Sequence, residues 1–268
     1  MLTRLKTIIV EKPWGRTDIP AAYGDFEGRR IGEIWFSNPA GDDAQIMVKF
    51  LFTSERLSIQ VHPDDEAARA AGFPRGKEEC WLILDAQPGA ELGVGLTLET
   101  TREALHGAAL DGSIVDLIDW RPSKTDDFVY NRAGTIHAIG GGLTVVEVQQ
   151  NVDCTYRLYD YGRPRELHLD EGLDVANPGP IHDPRDTVVD PHANRMLVTG
   201  PHFHLAQLAA PLDPAIFDHA TGELTFVPLS GGCRVSGEDV ALGEAVILID
   251  PSTIEIDEGS RALLTWPA

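Results

Sequence analysis

Short apolar runs cut by Gly, Pro and Asp recur along most of the chain, and few windows carry a helical spacing. The pattern predicts strands at Leu5–Val10, around Ile34–Phe36, at Ile46–Phe52 and at Leu57–His62. Pro13 and Gly15 in KPWG are expected to break the first of these. CWLILDAQPGAELGVGL reads as strand, Pro-Gly turn and strand. Four further β-like runs follow at Asp127–Asn131, Ile136–Ile139, Leu143–Gln149 and Tyr156–Tyr159. Helical spacing is confined to three places. Asp64–Ala71 carries its acids at the start, where they favour the helix dipole, and ends at Gly72 and Pro74. Leu98–Ile118 predicts one or two short helices inserted beside the strands, and Glu166–Val175 a short helix or turn. ANPGPIHDPRD is a loop or linker, after which β character returns in MLVTG, FHLAQL, ELTFVPLS, AVILID and ALLTW.

A weak internal echo runs through this pattern. DFVYNRAGTIHA lies on AVILIDPSTIEI without a gap, pairing Thr135-Ile136 with Thr253-Ile254 and placing Glu255 opposite His137. Two related β units would give such an echo, the second stripped of its histidine.

Composition narrows the class. With 43% apolar residues in 268, the chain can bury one large or two smaller all-β cores. Its net charge of −20 argues against nucleic acid or an anionic membrane surface as partner. An anionic substrate would need a local basic pocket. Three cysteines, Cys80, Cys154 and Cys233, are widely spaced and form no CxxC pair, which fits a reducing cytoplasm. The apolar run near the N-terminus is too short for a signal peptide, and no run approaches a membrane span.

The candidate chemistry centres on Leu57–Trp81. Alternation on a strand puts Gln60 and His62 on one face, with Ile59 and Val61 on the other. Glu79 follows in the next strand, so its neighbour Cys80 must point away. With His137 from the turn RAGTIHAIGGG, these side chains can converge on one divalent metal. Two imidazoles, a carboxylate and an amide oxygen suit Zn²⁺, with Fe²⁺, Mn²⁺ or Co²⁺ as alternatives, and leave room for water. Lys77 shares the face of Glu79. Glu147 sits in the apolar strand LTVVEVQQ, on the face of Val145 and Gln149. A carboxylate there is either paired or functional, and Arg157 is the expected partner, or else a substrate anchor. His202 and His204 form an HxH pair that Glu255 could join, without a fourth ligand in view. His106, His168, His182, His192 and His219 are expected to be exposed.

The blocks LSIQVHPDDEAARAA, GKEECWLILDAQPGAELGVG, AGTIHAIGGGLTVVEVQQNVDCTYRLYDY and RELHLDEGLDVAN resemble the type I mannose-6-phosphate isomerase family of the cupin superfamily. EKPWG and GEIW match more weakly. The resemblance covers roughly residues 11–177 and implies an all-β fold of two cupin jelly-roll barrels with small helical insertions. Residues 1–177 would form the metal-binding barrel and 178–268 a degenerate second one. It implies one zinc on Gln60, His62, Glu79 and His137. The implied reaction interconverts mannose 6-phosphate and fructose 6-phosphate through a cis-enediol. Glu147, Arg157 and Lys77 would be catalytic, with Glu147 favoured as the base. Lys49, Ser58, Arg157 and Arg163 match or approximate family positions for phosphate contacts. The chain is shorter than many members and lacks their large helical domain, and Arg163 lies beside Pro164 and Arg165, a departure from the family pattern. The expected partner is a small phosphorylated sugar, with the chain a monomer or weak homodimer. Two other readings remain: another cupin metalloenzyme (a dioxygenase or free-sugar isomerase), or a non-catalytic sugar-binding cupin. Gln60 in place of a histidine favours non-redox zinc, and the Glu147, Arg157 and Lys77 set favours catalysis.

Overall fold

The computed structural model describes residues 2–268. Its strands form four antiparallel sheets stacked in layers. The largest orders its strands Thr187–Val188, Asp127–Asn131, Glu79–Ala86, Leu143–Gln150, Ile46–Phe52, Ile31–Ser37 and Lys6–Arg16. A five-stranded sheet, ordered Tyr156–Tyr159, Ile59–Val61, His137–Ile139, Glu91–Leu96 and Ile118–Pro122, closes over one of its faces. Side-chain alternation explains the packing. Leu51, Trp81, Ile83 and Val145 point inward and meet Leu92, Val94 and Ile139 of the smaller sheet, giving a jelly-roll interior. Their neighbours Phe50, Cys80, Leu82, Val146 and Val148 point outward into a second core, shared with Val198, Leu205, Val227 and Leu263.

That second core belongs to the other β unit. Its six-stranded sheet contains Leu224–Ser230, Phe203–Ala209 and Arg261–Pro267, and a three-stranded sheet covers its far side around Phe226, Val235, Ile254 and Trp266. The central sheet is therefore covered on both faces. This is why Leu143–Gln150 is buried at every position, its polar residues included. Thr3–Arg4 crosses to pair with Ile247 and Val246 of the six-stranded sheet.

The helices cover the outer face of the five-stranded sheet. Leu105 and Ala109 of Arg102–Asp111, Ile114 of Ile114–Leu117 and Leu173 of Leu169–Val175 pack against Ile59, Val61, Ile136, Ala138 and Leu158. This layer fixes which way Ile59–Val61 faces: Ile59 and Val61 bury under the helices, so Gln60 must enter the barrel. No helix among the described residues is long and apolar enough to cross a membrane.

Three expectations change. The first long strand does not stop at KPWG but runs Lys6–Arg16, with its register slipping between Val10 and Arg16. It is an edge strand, where Pro13 interrupts no ladder on its free side. The run Leu57–His62 is regular only over Ile59–Val61. Ile118–Pro122 and the hairpin Cys233–Val235 with Glu238–Val240 are strands that the apolar pattern did not mark.

Candidate metal centre

Register carries four distant segments to one point inside the first barrel. His137 stands opposite Gln60, and Gln60 opposite Arg157. Glu79 stands between Asn131 on one side and Gln149 on the other. Glu147 lies between Trp81 and Lys49.

The loop from His62 to Lys77 is tied down locally. Asp64 caps the helix Asp65–Ala70 by accepting from the Ala67 amide at 2.9 Å. Asp65 Oδ1 accepts from the Gly76 amide (2.8 Å) and from Gln150 Nε2 (3.1 Å). A side chain at Gly76 would put its Cβ 2.4 Å from the Asp64 carbonyl carbon. Only glycine lets the returning chain pass, so that the Lys77 amide bonds to the Pro63 carbonyl (3.0 Å). Lys77 is thereby set beside His62.

His62, Glu79 and His137 offer ligand atoms that all lie within 4.8 Å of one another, and all three residues are buried. His62 Nε2 is 3.4 Å from one Glu79 oxygen and His137 Nε2 is 3.3 Å from the other. Ligand atoms around a tetrahedral zinc stand about 3.3 Å apart, from metal–ligand bonds near 2.0–2.1 Å. Backbone carbonyls hold the opposite ring nitrogens: His62 Nδ1 donates to Cys154 O (3.0 Å) and His137 Nδ1 to Thr135 O (2.9 Å). That choice of tautomer leaves both Nε2 lone pairs facing Glu79. Burial, with Lys77 nearby, lowers the His62 pKa; burial and the facing His62 push His137 down to about 3. Burial opposes the charge of Glu79, but Lys77 and the histidines outweigh it and hold its carboxyl well below the usual range. Asn131 Nδ2 donates to Glu79 Oε1 at 3.0 Å. Neutral imidazoles and an ionised carboxylate are the forms a divalent cation binds, so the donor set fits such an ion. The Gln60 amide joins the cluster with Nε2 3.2 Å from His137 Nε2, and a half-turn about its terminal torsion presents Oε1 instead.

A cavity opens beside the cluster, lined among others by Gln60, Ser58, Lys77, Lys49, Glu147 and Arg157. Lys77 donates from Nζ to Glu79 and lies 3.0 Å from His62 Nε2. Trp81 Nε1 donates to Glu147 Oε2 at 2.9 Å. Lys49 Nζ sits 2.8 Å from Glu147 Oε1, a buried ion pair. Burial works against the Lys49 charge, but Glu147 and Glu33 overcome it and raise its pKa. The partner of Glu147 is thus Lys49, its cross-strand neighbour, and not Arg157. Arg157 donates instead from NH1 to the Glu166 carbonyl (3.1 Å). Arg163 does not line the cavity: it turns to Asp160 (3.1 Å), Glu55 (3.2 Å) and the Arg56 carbonyl (2.7 Å). Arg165, two residues on, does line it.

The cavity also contains Lys12, Glu33 and Trp35, which the reading of residue types passed over. Trp35 Nε1 donates to Glu33 Oε2 (2.6 Å) and Lys12 lies 3.5 Å away. The signal was present in GEIW, where Glu33 and Trp35 stand two apart on one strand face. Of the remaining histidines, His202 Nε2 is 4.0 Å from Glu78, His204 packs on Trp266, and Glu255 pairs with Arg234. His106 and His168 are half-buried, not exposed, because the helices cover their segments.

No family model matches the chain. It is 38% identical over 189 residues to mannose-6-phosphate isomerase ManA of Bacillus subtilis (strain 168), covering 66% of this chain and 59% of that protein. Against mannose-6-phosphate isomerase of Streptococcus mutans the identity is 34% over 168 residues, covering 58% and 53%. The matches thus span between about half and three fifths of these curated relatives. The crystal structure of mannose 6-phosphate isomerase from Bacillus subtilis superposes with a TM-score of 0.80 at 25% identity, over 99% of both chains. A zinc-bound holo mannose 6-phosphate isomerase shares the fold, with a TM-score of 0.69 at 13% identity over 99% of both chains. By sequence and by fold alike, the chain is similar to proteins named mannose-6-phosphate isomerase.

Proposed function

We propose that the chain is a metal-dependent aldose–ketose isomerase interconverting D-mannose 6-phosphate and D-fructose 6-phosphate through a cis-enediol. One observation carries this reading: a buried carboxylate, Glu147, oriented by Trp81 and paired with Lys49, faces the cavity that opens beside the His62, Glu79 and His137 cluster. The names of the relatives, and the zinc in one structure of the same fold, support it.

His62, Glu79 and His137, with Gln60, would hold Zn²⁺ or another divalent ion. When bound, that ion supplies Lewis acidity toward the sugar oxygens. The remaining roles belong to side chains. Glu147 takes the C2 proton and returns it to C1 on the same face, with Trp81 fixing the plane of its carboxylate. Lys49 balances its charge. The single Nε2 lone pair of His62 would not serve an ammonium and a metal together, and Lys77 already lines the cavity. There Lys77 and Arg157 oppose the negative charge of the enediolate. Ser58, whose Oγ lies 3.4 Å from Gln60 Oε1, belongs to the metal end of the cavity. Residues 1–177 form the metal-holding unit on this reading, and 178–268 cover its central sheet. Three buried free thiols suit a cytoplasmic protein, acting as a monomer or weak homodimer.

The test is a coupled assay for fructose 6-phosphate on zinc-loaded protein, with mannose 6-phosphate and free mannose as parallel substrates. Turnover of the phosphorylated sugar upholds the reading. Turnover of neither sugar by metal-replete protein removes it.

A further inference from the structure

One residue outside the candidate ligand set touches two of its members. Asn131 ends the strand Asp127–Asn131 and stands directly opposite Glu79, on the face that Val129 shares opposite Trp81. Its Nδ2 donates to Glu79 Oε1 at 3.0 Å and lies 3.1 Å from His137 Nδ1. His137 Nδ1 gives its proton to the Thr135 carbonyl (2.9 Å), so the amide hydrogen serves Glu79 alone. The carboxylate also fixes which way the amide faces, because the reverse orientation would set Oδ1 against Oε1. The turn that follows reaches the third candidate ligand: the Gly134 amide donates to the His62 carbonyl at 2.8 Å.

Stability does not require an amide here. Asn131 is fully buried, and its Oδ1 has no hydrogen-bond partner among the described residues, which costs folding free energy. The strand before it, Phe128, Val129 and Tyr130, is apolar or aromatic, and an apolar side chain of like volume would fill the same space. What the amide supplies is a donor aimed at one oxygen of a carboxylate offered to a cation. Such a bond holds the carboxylate plane and draws charge from the oxygen that receives it. A carboxylate held in this way presents its other oxygen, which suits a small tetrahedral ion. An unrestrained one can swing to offer both oxygens, as ions of higher coordination number prefer. Building on the metal-binding part of the isomerase reading, we propose that Asn131 is a positioning residue: it holds Glu79 as a one-oxygen ligand, tightens the binding of Zn²⁺ and sets the preference for Zn²⁺ over Mn²⁺.

The experiment measures Zn²⁺ and Mn²⁺ affinity by competition with a chromophoric chelator, and records the visible spectrum of cobalt-substituted protein. Asn131→Leu, close in volume and without a donor, should weaken Zn²⁺ binding on the order of 10- to 100-fold, the usual effect of losing a hydrogen bond to a metal ligand. Mn²⁺ binding should weaken by less, so that the ratio of the two affinities falls. The cobalt bands should lose intensity, as they do when a four-coordinate site gains a ligand atom. Lost packing alone would weaken both ions by the same factor and leave the spectrum in place. Asn131→Ala removes the same donor with less bulk and should act in the same direction, which keeps the test open if the leucine variant does not fold. Arg132→Ala alters the same turn at a side chain that pairs with Asp183, and should keep the zinc affinity of the unsubstituted protein. Unchanged zinc affinity in the Asn131 variants overturns the proposal. So does an equal loss for both ions, or a loss in Arg132→Ala as large as that in Asn131→Leu. A protein that binds no zinc removes it together with the metal-dependent mechanism. The titrations contain no sugar, so a zinc-binding protein that turns over neither sugar would remove the isomerase reading alone.

Discussion

At the scale of single residues, the site is a set of buried charged and polar side chains, each oriented by its neighbours. Glu147 shows how. Trp81 engages one oxygen and Lys49 stands at 2.8 Å from the other, so the side chain is held in place. Glu147→Gln keeps the shape and removes the basicity. It should retain full metal content and lose about 10²- to 10⁴-fold in kcat, the usual contribution of a positioned base. Metal analysis beside steady-state kinetics checks this, and near-normal turnover would clear Glu147 of the base role. His137→Ala should behave differently. It removes one of three buried ligand atoms, so metal content itself should fall. Full occupancy in that variant would take His137 off the ligand set.

At the scale of elements, what could be read from the chain was what lies within one strand or one helix. Alternation in SIQVHP put Gln60 and His62 on one face, and the adjacency of Glu79 and Cys80 forced them apart. Both hold in the structure, because the helical layer and the second β unit claim the opposite faces. Pairing between strands could not be read in this way. Lys49 and Glu147 stand 98 positions apart and meet only through the register of two neighbouring strands, so the nearer Arg157 looked the better partner. Arg163 and Arg165 are separated by one proline, and the turn's conformation alone decides which faces the cavity. The three-residue strands Cys233–Val235 and Glu238–Val240 are too short for any period to show. The helical layer also has an energetic consequence. Leu105 is almost fully buried against the sheet that carries Gln60 and His137. Leu105→Ala should cost about 2–5 kcal/mol of stability, as core truncations do. Urea unfolding measures this, and a change under 1 kcal/mol would show that the helices are not needed to hold that sheet.

At the scale of the whole molecule, five layers run from helices to the three-stranded sheet, and the segment that follows the helix Leu169–Val175 is pinned to the side that carries His62, Glu79 and His137. Asp183 is the pin. It accepts from Arg132 and from Arg185, and Arg185 stacks over Tyr130, which donates to Glu78 beside the candidate ligand Glu79. Burial alone would raise the Asp183 pKa, but its hydrogen bonds from Arg185 and Arg132 bring it down to about 2. The ordinary value is 3.8. A carboxyl whose pKa is depressed by folding stabilises the fold fully above its unfolded value and loses that contribution as pH falls toward the folded one. The window for Asp183 therefore lies between about pH 4 and pH 2, and the contribution above it is about 2 kcal/mol. Asp183→Asn should lower stability by roughly that amount at pH 7 and by much less near pH 2, and equal losses at both pH values would show that the carboxylate charge is not what pins the segment. Metal removal probes the opposite side of the central sheet. A ligand that binds only the folded state adds about 4 kcal/mol at a free concentration 1,000 times its Kd. For a chain of this size each kcal/mol moves Tm by about 2–4 °C. Chelation should therefore lower Tm by about 8 °C or more, abolish turnover, and be reversed on both counts by added zinc. Activity that persists in chelated protein, with Tm unmoved, would mean that His62, Glu79 and His137 make a buried polar cluster that the chemistry does not use.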